Sequence, residues 1–271
     1  MTISRRRFLL GLSAFAVAGC RTHPRTTGAQ PSTLRVMTYN LHHGEGLDGR
    51  IDLPRIAAVI REAKPDLVAL QEVDRKAQRT GVVDQAAEYI RLTGMHGWYG
   101  AAMPFQGGEY GQVLLSRWPL RAPRVVRLPG TPGREPRIAT TACVDIPGLG
   151  TIRWAGLHLD ASRDDADRWQ QAGALLAAFP IQELPTLLAG DFNAVPDSRV
   201  MKRLLDPSTG WVDTAGVRAA LTDPADTPKV RIDYVLAAPS SAWRILDSKV
   251  IPETVASDHR PVVVDLQFVA S

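Results

Sequence analysis

Apolar and polar positions change period several times along this chain, and each change marks an element. Leu34-Arg35-Val36-Met37-Thr38-Tyr39-Asn40-Leu41 alternates and is rich in strand formers, which predicts a first strand running into a Gly-rich loop over 42–50. Leu53, Ile56, Ala57, Ile60 and Ala63 then recur at helical spacing, with Asp52 placed to cap the helix and Lys64-Pro65 to end it. The short apolar run over 66–71 reads as a buried strand, so the domain opens β-α-β. Further strands are expected over 113–116, 125–128, 138–146, 151–159, 186–189, 231–236, 243–251 and 262–268, and helices over 85–91, 166–178 and 198–205. Many strands with helices dispersed among them predict an α/β protein of two packed sheets flanked by helices. Periodicity alone leaves a Rossmann-like sheet open, but no GxGxxG follows the first strand to favour it.

The first residues follow a different logic. Ser4-Arg5-Arg6-Arg7-Phe8-Leu9-Leu10 matches a twin-arginine export signal, and the uncharged stretch over 8–19 is shorter than the roughly 20 residues that span a bilayer. It ends in Val17-Ala18-Gly19-Cys20, which resembles a bacterial lipobox, where the cysteine is acylated and becomes the new N-terminus. The expected organisation is therefore a signal peptide over 1–19, a lipidated Cys20 with a polar tether over 20–33, and one domain over 34–271, exported and held at the periplasmic or outer face of the cytoplasmic membrane. An ordinary cleaved signal with a coincidental cysteine, or a short buried helix, are the plainer readings of the same residues. With Cys20 acylated, only Cys143 is left, so no intramolecular disulfide is expected; its apolar surroundings predict a buried core residue.

Composition and charge narrow the picture further. At 45% hydrophobic and 22% charged residues the chain can fill one sizeable core. The formal net charge of +4 includes Arg5, Arg6 and Arg7 and falls to +1 without them, so it is no nucleic-acid footprint. Trp98, Trp118, Trp169 and Trp211 are not interleaved with a basic run, as a groove for single strands would need.

Candidate chemistry lies where apolar strands stop: Asn40, Gln71 with Glu72, His158, Asp191 with Asn193, Asp233, and Asp258 with His259. Strand ends are where a rigid scaffold aims side chains into a shared cleft. Singly, each has a plain alternative as a turn or solvated residue. Together, Thr38-Tyr39-Asn40-Leu41, Leu70-Gln71-Glu72-Val73, Leu114-Leu115-Ser116-Arg117, Leu157-His158-Leu159, Gly190-Asp191-Phe192-Asn193, Arg231-Ile232-Asp233-Tyr234-Val235 and Ser257-Asp258-His259-Arg260-Pro261 resemble, in order, the signature motifs of the endonuclease/exonuclease/phosphatase superfamily.

The resemblance spans about 34–268 and implies a four-layer α/β/β/α sandwich of two packed mixed sheets flanked by helices, with a divalent-metal site at one end. It implies Glu72 as chief ligand for Mg²⁺, with Mn²⁺ or Ca²⁺ as substitutes, Asn40 beside it and Asp258 contributing; hard oxygen donors suit such ions. It also implies His259 as the base that takes a proton from water, Asp233 as its partner, Asp191 as orienter of the attacking water or ligand of a second ion, and Asn193 and His158 as donors to phosphoryl oxygens. His158 places the chain with the two-histidine members. His42 and His43 follow the Asn40 strand and are candidates to line the cleft. Tyr110 stands one position from where some relatives carry a phosphate-contacting tyrosine. Arg137 either faces the phosphate or is solvated surface, the commoner fate of such a residue.

The expected activity is metal-dependent hydrolysis of a phosphate ester, with a phospholipid headgroup or small phosphoester outside the cytoplasm as substrate and the membrane as partner through Cys20. An extracytoplasmic nuclease is the alternative within the superfamily, and a non-catalytic binding lipoprotein the alternative from another class.

Overall fold

The computed structural model describes residues 33–215 and 220–269; the segment read as an export signal, His23 and Cys20 lie outside the described residues. Two sheets of six strands pack face to face. The first has the order β11 (Trp243–Val250), β12 (Val262–Phe268), β1 (Thr33–Asn40), β2 (Leu67–Arg75), β4 (Gly108–Ser116) and β3 (His96–Phe105). The second has the order β5 (Leu120–Arg127), β6 (Ile138–Ile146), β7 (Gly150–His158), β8 (Thr186–Asp191), β10 (Asp233–Ala238) and β9 (Val212–Asp213). Each contains one parallel pair, β1 with β2 and β7 with β8, and each pair is joined by a helix, because parallel neighbours need a crossover. Those helices are α1 (Leu53–Ala63) and α3 (Ala166–Ala178); α2 (Gln85–Thr93) and α4 (Arg199–Leu204) complete the outer layers.

Three apolar layers hold the sandwich together. Val36, Leu67, Ala69 and Leu114 of the first sheet meet Val144, Trp154, Leu187 and Val235 of the second in the central core. Ile56 and Ile60 of α1 with Ala86 and Tyr89 of α2 cover the outer face of the first sheet, and Leu175, Val200 and Met201 of α3 and α4 cover that of the second. This is the four-layer arrangement expected from the sequence. Asp52 caps α1 by accepting from the Arg55 amide at 2.9 Å, and the helix stops where Lys64 turns left-handed ahead of Pro65. Among the described residues no helix is long and apolar enough to cross a membrane.

Several boundaries differ from the sequence reading. β3 was not anticipated: Gly97, Gly100 and Pro104 interrupt its alternation, and it is an edge strand whose pairing with β4 carries an irregularity between Ala101 and Met103. β2 does not stop at Gln71 but continues to Arg75, through a register shift between Leu70 and Val73. Cys143 is buried in β6 as expected, yet it is disulfide-bonded, which corrects the expectation of no disulfide; its partner lies outside the described residues.

Candidate active site

Strand register brings the site together. His158 at the end of β7 and Asp233 at the start of β10 both pair with Asp191 at the end of β8, so three candidate side chains stand side by side on one rim. On the first sheet Asn40 pairs with Gln71, directly before Glu72. The two rims meet at Asn40, whose Nδ2 donates to Glu72 Oε1 at 3.0 Å and to Asp191 Oδ2 at 3.1 Å. Ser257 Oγ donates to the Asn40 carbonyl at 2.7 Å and accepts from the His259 amide at 3.3 Å, which pins the loop before β12 against the same rim.

Backbone conformation marks the same residues. Glu72 has φ +58° inside the β2 irregularity, and Asn193 has φ +47°. A left-handed conformation costs a non-glycine residue about 1–2 kcal/mol, so these side chains are held where regular strand geometry would not place them. At Asn193 the turn is fixed by its own amide donating to Asp191 Oδ1 at 2.8 Å.

Charge is arranged unevenly. His259 Nδ1 lies 2.9 Å from Asp233 Oδ2, and its Nε2 lies 3.8 Å from both Asp191 Oδ2 and Asp223 Oδ1. Burial would lower the His259 pKa, but the charge and hydrogen bond of Asp233, then Asp191 and Asp258, outweigh it and raise the pKa well above the ordinary value. Asp191 is pushed up to about 7, first by burial and then by the neighbouring charge of Asp233. His158, with Nε2 3.5 Å from Asp191 Oδ2, is held well below its ordinary pKa by burial and by Arg137.

Buried carboxylates gathered with little compensating charge are what a cation site offers. Glu72 and Asp191 share one neutral amide donor, and Asp233 Oδ1 is buried without a protein hydrogen-bond partner. Asp191, Asp233 and His259 also present ligand atoms within 4.8 Å of one another. That trio could hold a divalent ion, and Glu72, joined to Asp191 through the Asn40 amide, adds a further hard oxygen donor beside it. The donor set therefore fits a divalent metal ion. Asn40 turns its amide nitrogen, not its oxygen, toward the two carboxylates; its Oδ1 accepts from the His42 amide at 3.1 Å.

A cleft of about 300 Å³ opens over these groups, lined by Glu72, His158, Asp191, Asn193, Tyr110 and His259 among others. Arg137 lines it too and is 7% exposed, which corrects the solvated-surface reading. Asn40 and Asp233 stand behind the cleft wall, bonded to Glu72, Asp191 and His259, and Asp258, His42 and His43 lie outside the lining; Asp258 accepts from Ser257 Oγ and faces His42, whose Nε2 is 4.0 Å away. Asn193 lines the cleft but commits its Nδ2 to the Leu159 carbonyl at 3.1 Å. Sequence reasoning missed Arg79, Phe105 and Glu135, which also line the cleft. The Arg79 guanidinium sits 4.5 Å over the Phe105 ring and grips buried Asp74 with two hydrogen bonds. The charged run after Glu72 was the available signal, but it reads as solvent-exposed loop unless β2 is known to continue.

Comparison with known proteins agrees with this geometry. The model of the endonuclease/exonuclease/phosphatase family matches residues 37–259. A structure from Beutenbergia cavernae, described as an endonuclease/exonuclease/phosphatase, is 31% identical, covers 87% of this chain and 72% of its own, and has a TM-score of 0.73. The mannosyl-6-phosphatase of Bacteroides thetaiotaomicron is 18% identical, covering 87% of this chain and all (100%) of its own at a TM-score of 0.70. The human Nocturnin catalytic domain, with bound sulfate, is 20% identical, covering 88% and 94% at 0.69. These last two convey the fold alone. Comparison with curated proteins gives no match.

Proposed function

This chain belongs to the endonuclease/exonuclease/phosphatase family, and on that premise we propose that it hydrolyses a small phosphate ester with the aid of a divalent metal ion. The observation that carries this reading is the meeting of the Glu72–Asn40–Asp191 cluster with the His259–Asp233 pair on one cleft. Glu72 and Asp191 would hold the ion, which supplies Lewis-acid polarisation of a phosphoryl oxygen.

The chain's own residues supply the rest. Asp233 fixes the His259 ring by accepting from Nδ1, and Nε2, once its own proton is lost on the alkaline side of the raised pKa, receives the proton of the attacking water. Asp191 orients that water, as a buried carboxylate beside Nε2. His158, Tyr110 and Arg137 line the cleft where phosphoryl oxygens gain negative charge, and donors aimed there stabilise the transition state most. Burial keeps the Tyr110 hydroxyl protonated far above neutrality, so it acts as a donor.

A cleft of about 300 Å³ with two arginines on its walls favours a compact phosphoester over a nucleic-acid duplex. The mannosyl-6-phosphatase among the similar structures makes sugar phosphates a class to include in the test. Purified protein is to be assayed for phosphate or alcohol release from phospholipids, sugar phosphates, nucleotides and DNA, with Mg²⁺ and with EDTA. EDTA-sensitive turnover of a small ester supports the proposal; turnover of DNA alone favours a nuclease, and metal binding with no turnover favours a binding protein.

We also propose that the chain is exported by its twin-arginine segment. Disulfides persist in oxidising compartments, so a bonded Cys143 supports this location. A lipid on Cys20 and a disulfide within the chain cannot coexist in a protein with two cysteines. The anchor predicts that Cys20→Ser moves the protein from the membrane to the soluble fraction; a wild-type protein that is already soluble and has no free thiol overturns it.

A further inference from the structure

The two ring nitrogens of His158 meet different surroundings. Nε2 lies 3.5 Å from Asp191 Oδ2, while Nδ1 is buried and has no hydrogen-bond partner among the described protein groups. Three other buried polar atoms on the same walls share that condition: Gln112 Oε1, whose Nε2 donates to the Ile138 carbonyl at 3.1 Å, Arg137 Nε, and Glu135 Oε1, which faces Arg137 Nη1 at 3.0 Å as an ion pair. Native proteins rarely leave such groups unmet. His158, Gln112 and Arg137 line one void of about 10 Å³, walled in part by Tyr110 and Ile138. That is the space of a single water, and a site offering one donor, one acceptor and one imidazole nitrogen has the two to four polar partners that a buried water requires.

We propose that Gln112 is a positioning residue for His158 and acts through one water held in this void. With Glu135 Oε1 held by the Arg137 Nη1 charge, one arrangement suits the remaining partners and leaves a donor facing Asp191. Arg137 Nε–H donates to the water oxygen, and the water donates one hydrogen to Gln112 Oε1 and the other to His158 Nδ1. His158 then carries its proton on Nε2, which faces Asp191 and the cleft as a donor. The opposite tautomer would set a lone pair against the Asp191 carboxylate.

This rests on the reading of His158 as a donor to phosphoryl oxygen, but the water and the tautomer belong to the substrate-free protein and are tested apart from turnover. A high-resolution crystal structure is expected to show one ordered water about 3 Å from Gln112 Oε1, Arg137 Nε and His158 Nδ1. Nitrogen-15 NMR of the imidazoles is expected to show His158 as the Nε2–H tautomer in wild type. Gln112→Met, which removes the acceptor at similar volume, is expected to give a mixture of tautomers and a fall of about fivefold in kcat at unchanged KM, the loss of one ordinary hydrogen bond. Gln112→Glu, which keeps an acceptor oxygen, is expected to retain the Nε2–H form. A dry void, or wild-type His158 as the Nδ1–H tautomer, overturns the proposal even if Gln112→Met does not fold. A folded Gln112→Met with wild-type tautomer and kcat overturns it as well. Loss of all turnover on every substrate, with water and tautomer as expected, points instead at the functional reading.

Discussion

Asp233→Asn preserves shape and an acceptor oxygen beside His259 Nδ1 while removing a charge, so it isolates what the carboxylate contributes. Asp233 is 1% exposed and His259 7%, and the bond is 2.9 Å, so water screens the pair little. A hydrogen bond to a charged group contributes about 1.5–3 kcal/mol. The larger cost of an isolated buried charge is avoided, because the imidazolium can shed its proton. At roughly 2–4 °C per kcal/mol for a domain of this size, the melting temperature is expected to fall by roughly 3–12 °C. The loss depends on pH. Because the folded pKa of His259 is raised, its stabilising contribution is complete below the ordinary histidine value of about 6.5 and is lost as pH rises through the folded value. Asp191 acts in the same direction: removing the Asp233 charge lowers its pKa from about 7 and relieves the variant of strain that wild type carries at alkaline pH. The gap between the two proteins, measured by calorimetry, is therefore widest near about pH 6 and narrows above it. In the same variant kcat is expected to fall about 10²–10⁴-fold, the contribution of a general base and its partner. Melting equal to wild type at about pH 6, together with wild-type kcat, would refute the pairing.

Three other perturbations probe the neighbouring groups. Divalent ions compete with the Asp191 proton, so Mn²⁺ affinity measured by calorimetric titration is expected to weaken as pH drops below about 7, approaching tenfold per pH unit. Glu72→Gln is expected to abolish Mn²⁺ binding while leaving the circular dichroism spectrum unchanged, since the left-handed backbone at residue 72 is set by the β2 irregularity and not by the carboxylate. Arg79→Ala leaves fully buried Asp74 with only the Thr80 hydroxyl at 3.3 Å as a side-chain partner, and denaturant unfolding is expected to show a loss of about 3 kcal/mol.

What was legible in the sequence follows from what local patterns encode. β6, α3 and β12 were read to the residue because an apolar run or helical stripe is bounded there by turn residues. Asn40, Glu72, His158, Asp191, Asp233 and His259 were legible because the order of the motifs survives in the chain. The continuation of β2 past Glu72 was not, because a strand that bends at an irregularity and carries Asp74 and Arg75, with Lys76 directly after it, looks like a solvated loop. Arg137 was misjudged for a similar reason: burial of a cation depends on Glu135 and on the cleft wall, which only the assembled sheets provide. The commitments of the Asn40 and Asn193 amides are likewise three-dimensional, since their partners lie on other strands or loops.

The central claim is that one cleft binds a divalent ion and hydrolyses a phosphate ester with His259 as base. The measurement that meets it most directly is turnover of a simple nitrophenyl phosphate ester by wild type and by His259→Ala, each with Mg²⁺ and with EDTA, alongside Mn²⁺ binding by both proteins. The account predicts Mg²⁺-dependent turnover by wild type, none by His259→Ala, and retained metal binding in the variant. Turnover that survives EDTA, or that survives the loss of His259, would contradict it.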